Sequence, residues 1–122
     1  MIRLALKQAA HSIFKRARVG AVICKGDRLL SSGWNRIGYS KYLPNRIWKE
    51  SIHAEAEAIR KLIVQRRLHD LAGADLYVSR IGLDGASRLA RPCPNCSELI
   101  KASGIRRVFY TDSNGGTGSY WV

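Results

Sequence analysis

Two short stretches far apart in the chain constrain its fold more than anything else: His53-Ala54-Glu55 and Pro92-Cys93-Pro94-Asn95-Cys96. Together they read H-x-E followed by P-C-x-x-C. Nitrogen and paired sulfur ligands at this spacing suit a tetrahedral zinc ion, and a catalytic zinc keeps one of about four positions for water. His53, Cys93 and Cys96 fill three positions. Glu55 then remains as a carboxylate that does not ligate, which is what a proton shuttle beside an activated water requires. A fold that honours both motifs must bring its middle and its last third to one point.

With 122 residues and 46% apolar content, the chain reads as a single domain with one hydrophobic core. No apolar run approaches the roughly 20 residues of a membrane helix. Three cysteines, two of them in C-x-x-C, argue against a disulfide framework and for a reducing, cytoplasmic setting. Met1 to Gly26 carries six basic and no acidic residues, a composition shared with mitochondrial transit peptides. It reads instead as the first helix and strand of the fold. Lys and Arg outnumber Asp and Glu by 21 to 9, a formal charge of +12, which favours anionic partners such as nucleotides or single-stranded nucleic acid.

Apolar spacing predicts a helix over 2–17, strands over 18–24 and 28–34 joined as a hairpin, and a helix over 52–68 capped by Ser51. Further strands are expected over 75–81 and 107–111, the latter parallel because a helix over 95–103 precedes it. Residues 87–90 run back from a turn at Leu83-Asp84-Gly85. Cys24 reads as a buried thiol. His11 is assigned no role, and His69 is expected in solvent. The stretch 35–49 interleaves Arg36, Lys41, Arg46 and Lys49 with Tyr39, Tyr42 and Trp48. Its aromatic faces suit stacking on a base and its cations suit phosphate; equally, the rings would pin a loop to the body. The tail 112–122 is glycine-rich without a following helix, which excludes a P-loop. Tyr120 and Trp121 there are candidates for a lid or a subunit contact.

With Gly20-Ala21-Val22-Ile23, Gly33-Trp34-Asn35 and the two metal motifs, the chain resembles the cytidine/deoxycytidylate deaminase superfamily over nearly its full length. The resemblance implies an α/β fold of three layers, α/β/α, around a mixed five-stranded sheet, with Zn²⁺ held between two helix starts. It implies that Asn35 contacts the sugar and the main chain at Ala54 the base, and that the protein is a homo-oligomer. Histidine at position 53 is similar to the deoxycytidylate, tRNA adenosine and polynucleotide deaminase branch. Two departures stand beside the metal motif: Arg91, where a hydroxyl residue is common, and an unusually long segment from Ser79 to Arg91. The leading expectation is hydrolytic deamination of a cytosine nucleoside or nucleotide, dCMP above all. A deaminase of cytosine or adenine in single-stranded DNA or RNA is the alternative. A third, a closed structural zinc site in a nucleic-acid-binding module, needs a fourth ligand such as Glu57 or His69.

Overall fold

A computed structural model describes residues 1–37 and 51–122. Among the described residues three α-helices, α1 (Ile2–Ala9), α2 (Ala54–Val64) and α3 (Pro94–Ser103), and a 3-10 turn at Leu68–Leu71 accompany six strands. These are β1 (Arg18–Lys25), β2 (Arg28–Trp34), β3 (Asp75–Ile81), β4 (Ser87–Arg88), β5 (Arg107–Thr111) and β6 (Thr117–Trp121). The sheet runs β2-β1-β3-β5-β6, with β4 added to β3 as a two-residue ladder. All pairings are antiparallel except β3 with β5, the parallel pair that the intervening α3 makes possible.

The inner strand β1 is apolar on both sides because both sides are covered. Ala21 and Ile23, with Leu76 and Val78 of β3 and Val108 of β5, share one cluster with Ile59 and Leu62 of α2 and Ile100 of α3. The other face takes α1, so closely that a Cβ at Gly20 would stand 2.0 Å from the Ala5 carbonyl oxygen. Ser79 ties that face to the start of α1 by donating to the Ile2 carbonyl at 3.1 Å. The three layers follow.

Four boundaries differ from the sequence expectations. Helix α1 stops at Ala9 although Ile13 and Phe14 keep the spacing. Ser12 turns its hydroxyl to accept from Phe14 N–H and to donate to the Asn35 carbonyl, giving the backbone an alternative to helix. Helix α2 ends at Val64: Arg66 takes φ 57° and Arg67 N–H closes back on the Leu62 carbonyl. Its N-cap is His53, not Ser51. The tail supplies β6. Asp112 Oδ1 accepts from Asn114 N–H and Gly116 N–H, folding the glycine-rich turn that lets 117–121 return along β5. Five strands therefore lie on the main path, as expected, and β4 makes a sixth.

Cys24 is buried and free, and His69 is 78% exposed at its side chain, beside Asp70. His11 packs on the Trp34 ring at 4.8 Å. No helix among the described residues is long and apolar enough to cross a membrane.

Candidate metal centre and active site

Two helices open toward one another here. His53 holds φ −68°, ψ 153° at the start of α2, and Cys93 holds φ −68°, ψ 166° at the start of α3, both extended as N-caps must be. Neither side chain is spent on ordinary capping alone. The imidazole of His53 faces sulfur, its Nδ1 3.4 Å from Cys96 Sγ and 3.7 Å from Cys93 Sγ. Cys93 Sγ accepts from Cys96 N–H at 3.5 Å, which fixes the C-x-x-C turn, while Pro94 occupies the first helical turn, where its missing N–H costs nothing.

These separations can be tested against zinc. Tetrahedral bonds of about 2.1 Å to nitrogen and about 2.3 Å to sulfur set an N···S edge of about 3.6 Å. The observed 3.4 and 3.7 Å bracket that value. Electrostatics agree. Burial pushes the Cys96 thiol pKa up, and the Glu55 carboxylate and Cys93 beside it push further. Two converging thiols next to a buried acid need positive charge to ionise, and a divalent cation provides it. Burial also lowers the His53 pKa, keeping the imidazole neutral as a ligand must be. The residues fit the ion.

Glu55, in the first turn of α2, is 5% exposed. Burial raises its carboxyl pKa, opposed by a hydrogen bond to its own backbone N–H and by the Cys96 side chain. Together with His53, Ala54 and Cys93 it lines a cavity of about 330 Å³, within the usual range for small-molecule sites. Glu57, proposed above as a fourth ligand, points elsewhere: it binds Arg36 Nε at 2.8 Å and Arg60. His69 is likewise outside the ligand group, which among the described residues is His53, Cys93 and Cys96. A closed four-ligand site has no support here.

Asn35 also lines the cavity. Its Oδ1 accepts from Val19 N–H at 2.9 Å and its Nδ2 donates to the Ala17 carbonyl at 2.6 Å. One amide hydrogen and one lone pair remain for a ligand. Arg36 lies outside the lining residues. Its main chain bridges Ile52, and its guanidinium braces Glu57, so it steadies the approach to His53. Tyr39 and Trp48 fall outside the described residues.

Sequence reasoning passed over one lining residue with chemistry, Arg80, and left Arg91 as a departure without a place. The signal was the lengthened 79–91 segment, which carries both. Arg91 lies 4.6 Å from the Tyr120 ring centroid and 5.7 Å from that of Tyr110. Tyr120 thus supports the cavity wall, whereas Trp121 is 66% exposed and lies beneath Arg107 on the opposite face.

Residues 1–112 match the family model of the cytidine and deoxycytidylate deaminase zinc-binding region. The deoxycytidylate deaminase of Mycobacterium phage D29 is 34% identical over 126 aligned residues, covering 88% of this chain and 88% of that protein. The crystal structure of dCMP deaminase from cyanophage S-TIM5 in apo form gives a TM-score of 0.68 at 27% identity, over 89% of this chain and 77% of that one. A cytidine deaminase from Burkholderia pseudomallei gives 0.70 at 18% identity, over 98% and 88%, a likeness of fold.

Proposed function

Since the chain belongs to the cytidine and deoxycytidylate deaminase family, we propose that it hydrolyses the 4-amino group of a cytosine nucleotide, dCMP first among substrates. The observation that carries this reading is the three-ligand group at two helix starts with buried Glu55 beside it, opening on one cavity. The similarity to phage deoxycytidylate deaminase supports the choice of nucleotide.

His53, Cys93 and Cys96 would hold zinc, which when bound supplies the Lewis acidity that makes water nucleophilic at neutral pH. Glu55 takes the proton of the attacking water on its carboxylate and delivers it to ring nitrogen N3. As C4 gains oxygen, the same carboxyl transfers the second proton to the exocyclic amine, and ammonia leaves. Burial suits Glu55 to this work: by raising the carboxyl pKa it makes the carboxylate a better proton acceptor. Asn35, held by Ala17 and Val19, offers its remaining amide hydrogen to the sugar, and the Ala54 main chain meets the base.

The test is a substrate panel. Zinc-loaded protein is incubated with dCMP, CMP, deoxycytidine, cytosine, adenosine and a short oligonucleotide, with ultraviolet change and ammonia both followed. Conversion of dCMP with one ammonia per dUMP is expected; stoichiometric zinc with no cytosine substrate converted overturns the reading. The same reading carries a reducing cytoplasmic compartment, because the ligand thiols must stay reduced, and a homo-oligomer, which light scattering measures.

A further inference from the structure

Four arginines border the lengthened hairpin, and they divide into two pairs. Arg88 is neutralised by Asp84 at 3.1 Å, and Arg18 donates to the Gly82 carbonyl at 2.9 Å. Arg80 and Arg91 line the cavity that is also lined by Glu55 and by the metal-ligand candidates His53 and Cys93. Among the described residues neither has a carboxylate within ion-pair distance. Arg80 Nε is buried with no hydrogen-bond partner. The same holds for Arg18 and Arg107, so it is the place of Arg80 in the cavity lining that singles it out. Arg91 is laid over Tyr120 and reaches Tyr110 Oη at 3.4 Å, so most of its five donors remain unspent.

Both cations are held in place from below. Thr111 Oγ1 accepts from Arg80 N–H at 3.1 Å and donates to the Arg88 carbonyl at 2.8 Å, and the Thr111 carbonyl takes Ala90 N–H, next to Arg91. The end of β5 therefore fixes the backbone on which both guanidinium groups stand. A guanidinium without an acid partner suits a phosphate, which accepts two parallel N–H bonds. Among the described residues Glu55 is the one acid in the cavity lining, and it makes no ion pair with either.

We propose that Arg80 and Arg91 form the phosphate subsite of this cavity, so that the segment lengthened from 79 to 91 selects phosphorylated substrates over free nucleosides. The inference rests on the cytosine-nucleotide reading of the site. The phosphate is either the terminal monoester of a mononucleotide or a diester within a single strand.

The experiment compares kcat/KM for dCMP, deoxycytidine and a short oligodeoxynucleotide with one cytosine, in zinc-loaded wild type, Arg80→Met, Arg91→Met and the control Arg88→Met. The preference for dCMP over deoxycytidine falls about 10- to 100-fold in each of the first two, chiefly through KM, as loss of a charge-assisted hydrogen bond requires. Lysine at either position restores part of it, and Arg88→Met leaves it unchanged. If the oligonucleotide loses by that factor and dCMP does not, the phosphate is a diester. Equal losses on dCMP and deoxycytidine, or none, overturn the subsite. A variant that fails to fold is replaced by its lysine counterpart, with dUMP and deoxyuridine binding compared by calorimetry. Should wild type convert no cytosine substrate, the functional reading falls. Inorganic phosphate binding then decides the subsite alone: heat lost in Arg80→Met upholds it, and equal heats refute it.

Discussion

The floor and the wall of the cavity are built on different principles. At the floor, His53, Glu55 and Cys93, with Cys96 against them, come from two helix starts and are buried or half-buried. On the wall, Arg80 and Arg91 come from an extended hairpin, partly or fully exposed, with donors left over. A reaction needs groups whose positions cannot drift, since an ångström of misplacement costs rate. Substrate choice needs spare bonding capacity. The floor accordingly defines what is done, and the wall defines what it is done to.

Breaking the floor gives the largest effect. Glu55→Gln keeps the shape and removes the proton carrier, so turnover should drop by about 10²- to 10⁴-fold while metal analysis still finds zinc. Substantial residual ammonia release, or loss of the metal, would remove Glu55 from its role.

A smaller effect sharpens the boundary between floor and support. Burial would raise the Glu57 carboxyl pKa, but hydrogen bonds from Arg60 and Arg36 outweigh it and hold the group below the ordinary carboxylate range. A depressed carboxyl stabilises the fold above its unfolded pKa of about 4.3, and the contribution is lost as pH falls through the folded value. Glu57→Gln should therefore cost about 1–3 kcal/mol at pH 7, with the gap from wild type closing below about pH 4. Denaturant unfolding across pH measures it, and a gap that widens in acid contradicts the sign.

On the wall, Thr111→Val deletes the hydroxyl that serves Arg80 N–H and the Arg88 carbonyl. It should cost about 1–2 kcal/mol and reduce the dCMP preference more than kcat. A change confined to kcat would mean that the hairpin bears on the chemistry instead.

The same contrast explains what could be read from the sequence. Zinc admits few residue types at few spacings, so H-x-E with P-C-x-x-C was legible before any fold was known, and buried β1 was legible from Val19-Gly-Ala-Val-Ile-Cys24. An arginine excess has no such grammar. Twenty-one cations look alike until the fold shows that, among the described residues, Arg80 and Arg91 line the cavity without an ion-pair partner. Helix lengths were misjudged where side chains compete with the backbone, as Ser12 does. His53 was passed over as a cap because its imidazole is directed to sulfur and satisfies no helix N–H. Strand β6 escaped because Thr117-Gly-Ser carries little strand preference, although Asp112 to Gly116 is a good turn between two extended runs.

That two of the three ligands, His53 and Cys93, are themselves N-caps has a further consequence for how this chain tolerates insertion and deletion. Each helical residue turns the chain by about 100°, so moving the start of α2 by one position would swing the imidazole away from both sulfurs. A drift in helix phase that elsewhere would be silent would here pull the ligand group apart.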